Sequence, residues 1–142
     1  SIGVDRMFLS IMSAAYQEEK LEGGDTRVVL KLPAVLAPVK ACIMPLVKKD
    51  GLPEKAREIM NQLKFDFKCA YDEKDSIGKR YRRQDAVGTP FCITVDHQTL
   101  EDGMVTIRHR DTTSQERVAI ADLHSIIDAQ VNMKNLFKKI VG

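Results

Sequence analysis

The sequence is poor in the patterns that mark most chemistries. Its three cysteines, Cys42, Cys69 and Cys92, lie far apart and in no CxxC pair, which argues against a zinc site and against a disulfide framework. Each sits in an apolar or strand-like run, as buried free thiols of a reducing compartment do. The histidines His97, His109 and His124 share no ligand spacing. No GxSxG elbow, Walker loop, HExxH or paired-carboxylate motif occurs, and the clustered carboxylates Asp72, Glu73 and Asp75 suit capping and solvation. No apolar run approaches the ~20 residues of a membrane span, so no membrane contact is expected. The opening SIGVDRMFLS lacks the basic lead and small-residue cleavage pattern of a signal peptide. There is no internal repeat and no low-complexity segment. A formal net charge of only +2 over 142 residues is too balanced for non-specific coating of DNA.

What is present is a patterned chain of one domain's length, able to bury roughly two-thirds of its unfolded surface. It begins with serine in mid-pattern, which reads as a piece of something longer. Val4, Met7, Phe8, Ile11, Met12 and Ala15 follow the spacing of an amphipathic helix. EEKLEGGDT, with its Gly-Gly pair, reads as a loop or linker, and VVLKLPAVLAP as an extended lead-in punctuated by Pro33 and Pro38. VKACIMPLV suits a strand buried on both faces. Pro53 opens a helix carrying Ala56, Ile59, Met60 and Leu63 inward. FDFKCAY over 65–71 reads as a second strand, which makes a right-handed parallel βαβ unit. A helix capped by Asp75 or Ser76 runs to about Val87, where Gly88 and Pro90 stop it. PFCITVD, MVTIRHR and ERVAI are three further strands joined by short polar links, hence antiparallel. A last helix carries Leu123, Ile126, Ile127, Val131 and Leu136, closed by Lys138 and Lys139. The expected fold is α/β: a mixed five-stranded sheet with three helices, preceded by an N-terminal amphipathic helix. The expected domains are 1–26, a helix and linker, and 27–142.

Charge is not spread evenly over these elements. SIGKRYRR concentrates Lys79, Arg80, Arg82 and Arg83 at the start of a helix that follows a parallel strand, where open α/β sheets bind their ligands. Ile77, Tyr81 and Val87 are left to face the core, with Tyr81 as the inward anchor. Alternation in MVTIRHR puts Arg108 and Arg110 on one strand face. If the two clusters converge, they make a site for phosphates and bases, a focused RNA or nucleotide site. A cysteine nucleophile, Cys69 or Cys92, in a small stand-alone α/β enzyme is the rival reading, and needs a basic partner.

SIGVDRMFLSI resembles motif 3 of the class II aminoacyl-tRNA synthetases, a glycine-containing strand-to-helix segment that ends in an ATP-binding arginine. LKLPAVLAPVKACIMPLVKKDGLPEKAREI, YDEKDSIGKRYRRQDAVGTPFCITVD and TLEDGMVTIRHRDTTSQERV resemble the C-terminal anticodon-binding domain of the dimeric glycyl-tRNA synthetase family. The resemblance spans essentially the whole chain. It implies a cytoplasmic ligase that joins glycine to tRNA(Gly) using ATP with magnesium, and residues 1–26 as the tail of its catalytic domain. It places Gly3, Val4, Asp5 and Arg6 at ATP, with Arg6 at the triphosphate, and Ser1 and Gly3 at glycine. The family's motifs 1 and 2 have no counterpart here, so this stretch alone is expected to be catalytically inactive, with no cofactor of its own.

The matched anticodon positions are Lys74, Arg82, Thr99 and Arg108, to which the geometric argument adds Asp72, Arg83 and Arg110. Arg82 and Arg108 are expected as donors to cytosine edges, Asp72 or Glu101 as the acceptor, and Lys79 and Arg80 toward phosphate or solvent. The helix over 4–15 is expected to bury its stripe by self-association. The alternative is a non-catalytic nucleic-acid-binding accessory protein built on the same domain.

Overall fold

A computed structural model describes residues 2–21 and 24–132. Among the described residues, twelve α-helices and β-strands follow in order: α1 (Ile2–Ala15), β1 (Tyr16–Lys20), β2 (Thr26–Leu30), β3 (Ala41–Pro45), α2 (Leu52–Leu63), β4 (Cys69–Tyr71), α3 (Ile77–Val87), β5 (Phe91–Val95), α4 (Thr99–Asp102), β6 (Met104–His109), β7 (Gln115–Ala119) and α5 (Leu123–Val131). The expected mixed five-stranded sheet is present, in the order β4-β3-β5-β6-β7. β3 pairs in parallel with β4 and with β5, and β5-β6-β7 run antiparallel.

The centre of the sheet is buried on both faces, as the unbroken apolar run of β3 requires. One face carries Ala41, Ile43, Ile93, Val105 and Ile107, and packs on Leu52, Ala56 and Ile59 of α2 and on Leu123 and Ile127 of α5. The other carries Cys42, Met44 and Cys92, and meets Tyr81 of α3. Gly51 precedes α2 in the left-handed region (φ 78) and Pro53 sits in its first turn, where no helical N–H is lost.

Four expectations are corrected. The polar stretch read as a linker is a hairpin: β1 pairs antiparallel with β2 from Tyr16↔Leu30 to Lys20↔Thr26. Its polar side chains hid a strand whose pairing is a matter of backbone, with Val29 and Arg27 turned inward. The second strand is only Cys69–Tyr71, because the chain before it finishes α2 as a turn, with the N–H groups of Asp66 and Phe67 both donated to the carbonyl of Leu63. A one-turn helix, α4, forms where none was expected. And α3 buries Arg80, Tyr81, Gln84 and Asp85, while Val87 is 54% exposed. Leu136, Lys138 and Lys139 lie outside the described residues.

Candidate nucleic-acid interface

α3 begins where the parallel strands end. The Ser76 hydroxyl accepts the N–H of Lys79, capping the first turn. Asp75 stands in the left-handed region (φ 64), a conformation that asparagine and aspartate tolerate better than most residues. At the far end Gly88 closes the helix at φ 84.

Arg80 is not a ligand-facing cation. It is 3% exposed. Its guanidinium donates to the carbonyls of Pro45, Lys74 and Asp75, stitching the turn before α3 to the end of β3. The same correction applies to the β6 cluster. Arg108 is 3% exposed and forks onto Asp85 of α3, at 2.8 and 3.0 Å, with its guanidinium 4.7 Å from the centre of the Tyr81 ring. Arg110, equally buried, donates to the carbonyls of Gly88 and Leu32 and to Asp111. A buried guanidinium in hydrocarbon surroundings must find acceptors inside the protein, and these two have done so. The second cluster therefore fastens α3 and the lead-in to the sheet. Thr99, 1% exposed, also turns inward: its hydroxyl and N–H both donate to Asp96. Glu101 is exposed on α4.

Asp85 carries a second arginine that sequence reasoning missed. Arg27 of β2 reaches it at 3.1 Å, and also donates to Glu19 at 2.6 Å and to the carbonyl of Arg110. The signal was there: Ile77, Tyr81 and Asp85 recur at four-residue spacing, so a carboxylate on the inward stripe needed a cationic partner.

Three of the expected residues do come together. Asp72, Lys74 and Arg83 line an open cleft of about 470 Å³ at the carboxyl end of β4, with Arg57, Tyr71 and Glu73. Arg83 lies 3.2 Å from Asp72 and 3.4 Å from Asp75, and the Lys74 N–H donates to Asp72 at 3.0 Å. The Arg57 guanidinium lies 4.7 Å from the centre of the Tyr71 ring. The Tyr71 hydroxyl donates to Glu73 at 2.6 Å, and burial together with that bond pushes the phenol up to about 12. The cleft thus offers a half-buried ring, a carboxylate, and a guanidinium 41% exposed. An aromatic face and paired donor and acceptor groups are what an unstacked base requires.

Arg82 parts company with Arg83. Successive helical residues are about 100° apart, and Arg82 lines a different groove, with Tyr81, Arg108 and the β1–β2 hairpin. Lys79 is exposed.

The motif 3 segment folds as the first turn of α1. Gly3, Val4 and Asp5 lie within that helix, Arg6 is exposed, and Ser1 lies outside the described residues. Arg6 lines none of the clefts described above. Among the described residues no group of three or more His, Cys, Asp or Glu side chains is placed to hold a metal ion. The described residues thus assemble no site for magnesium. No described helix is long and apolar enough to cross a membrane.

The mixed sheet, with a basic helix rising from the carboxyl end of its parallel strands beside a cleft of ring, carboxylate and guanidinium, defines an α/β ligand-binding domain. A family model described as "Anticodon binding domain" matches residues 40–130, and the chain belongs to that family. It is 51% identical over 131 residues to a glycine–tRNA ligase of Borrelia hermsii, covering 92% of this chain and 29% of that protein. It is 53% identical over 131 residues to one of Clostridium beijerinckii, covering 92% and 28%. It is 54% identical over 118 residues to one of Chlorobaculum tepidum, covering 83% and 25%. The chain spans under a third of the length of these curated relatives. The similarity to glycyl-tRNA synthetases seen in the sequence motifs is borne out.

Proposed function

We propose that this chain is the C-terminal, anticodon-binding part of a cytoplasmic glycine–tRNA ligase and that it grips the anticodon of tRNA(Gly). The observation that carries the reading is the Asp72–Arg83 pair beside Tyr71, with Lys74 at the rim. Glycine codons fix cytosine at two anticodon positions. The pairing edge of cytosine presents an amino donor and two acceptors. A carboxylate can take the amino group while a guanidinium or ammonium serves the acceptors, and Asp72, Arg83 and Lys74 supply that set.

Glycine activation with ATP and magnesium belongs to the rest of the ligase, and Gly3, Val4, Asp5 and Arg6, with Ser1, join it only in that setting. The chain alone forms no glycyl-adenylate. Homodimerisation is likewise a property of the whole ligase, and the exposed Leu9 of α1 is consistent with a face that packs on further protein.

Replacing Arg83 by alanine should weaken binding of a tRNA transcript with a glycine anticodon by about 1–3 kcal/mol and narrow its preference over a transcript with one cytosine changed. Filter binding on both transcripts measures this. Unchanged affinity and unchanged preference would remove the cleft from the reading.

A further inference from the structure

The groove on the other flank of α3 has no role in base reading as described above. It is a cleft of about 500 Å³ walled by the β1–β2 hairpin, by Gly78, Tyr81 and Arg82, and by the turn between β6 and β7. Its acidic side chains are already satisfied. Glu19 is held by Arg27 at 2.6 Å and by Lys31 at 2.5 Å, and Asp111 by Arg110 at 2.9 Å. The buried cations at its floor, Arg27 and Arg108, share Asp85. Two cations on its walls are left over. Arg82 and Lys20 are both exposed and, among the described residues, neither enters an ion pair. Thr112 and Thr113 also line it, with their hydroxyls engaged by Ser114 and by the Thr112 carbonyl. A groove with compensated carboxylates and free cations selects an anionic, oxygen-rich ligand.

Resting on the anticodon reading, we propose that this groove carries the phosphodiester backbone of the RNA whose bases enter the Tyr71 cleft. α3 is then a ridge between the two. Arg83 on one flank meets bases, and Arg82 on the other meets phosphate. The hairpin takes part directly, through Lys20. Phosphate contacts set register without reading sequence, so the division of labour has a signature of its own: loss of affinity without loss of selectivity.

The test is the chain with Lys20→Ala and Arg82→Ala together, titrated with a tRNA transcript bearing a glycine anticodon and with one bearing an altered anticodon, at several salt concentrations. Each neutralised phosphate contributes about 0.7–0.9 to the slope of log K against log salt. The double variant should therefore show a slope shallower by about 1–2 and lose affinity for both transcripts by the same factor. Lys64→Ala, at the end of α2 on the opposite face of the sheet, should change neither quantity. Both groove side chains are exposed, so the urea midpoint should stay with the parent. Retained binding with an unchanged slope overturns the groove alone, as does a loss confined to the glycine anticodon. Failure of the unsubstituted chain to bind either transcript overturns the anticodon reading, and the groove with it.

Discussion

Replacing Asp85 by alanine removes a fully buried carboxylate that accepts three charge-assisted hydrogen bonds, two from Arg108 and one from Arg27. Two guanidiniums then stay in the interior. Arg27 keeps Glu19 and the carbonyl of Arg110. Arg108 loses both carboxylate contacts and keeps the Tyr81 ring. Removing one partner of a buried pair costs about 3–5 kcal/mol, because the surviving charge remains desolvated. A domain holds only ~5–15 kcal/mol in total. With a urea dependence of about 1–3 kcal/mol per molar, the unfolding midpoint should fall by about 2 M. Asp85→Leu combined with Arg108→Met should recover part of this, since an apolar pair leaves one fewer charge uncompensated. Urea titration followed by far-UV circular dichroism gives all the midpoints. An Asp85→Ala midpoint within about 0.3 M of the parent would refute the claim that this carboxylate neutralises two buried cations.

Gly88→Ala should destabilise more than Gly103→Ala in thermal unfolding. Both glycines have positive φ, and the left-handed region costs other residues about 1–2 kcal/mol, but only at Gly88 would the added carbon meet the Leu30 carbonyl oxygen, at 3.2 Å. Equal losses would show that the contact gives way freely. The Glu19 carboxyl is held below its usual 4.5 by the hydrogen bonds from Lys31 and then Arg27. A depressed carboxylate stabilises the fold fully above its unfolded value, and that contribution drains away as pH falls through the folded one. Amide protection in Tyr16–Lys20 should therefore fall between about pH 5 and pH 3 ahead of protection in β5, and parallel loss in both would count against it. Burial raises Cys42 to about 12, Cys69 to about 11, and Cys92 as well. Iodoacetamide at neutral pH should leave all three unmodified until urea is added, and a fast-reacting native thiol would revive the cysteine-enzyme reading.

Much of the frame was legible in the sequence because it rests on local rules. The Ser76 cap, the Gly88 stop, the double-sided burial of β3 and the alternation of β6 each follow from a few adjacent residues. What was not legible is which cations are spent inside. SIGKRYRR and RHR display charge, but the fate of each charge depends on groups remote in sequence: Asp85 lies 23 residues from Arg108 and 58 from Arg27. Arg80 looked like its neighbours and is consumed by three carbonyls, whereas Arg83, three positions on, stays half in solvent. The hairpin was missed for a related reason. β1 is almost wholly polar, and one of the two β2 side chains that dock the hairpin is an arginine, which a hydrophobic pattern does not record.

The Arg27 clasp has a mechanical side. α1 runs into β1 with no residue between them, β1 is laddered to β2 over five residue pairs, and β2 is pinned by Arg27 to Asp85 in the last turn of α3. A push delivered through α1 reaches α3 along two strands and one ion pair, with no slack tether to absorb it. The hairpin is a stiff bracket, and the helix flanked by the cleft and the groove is mounted in series with α1.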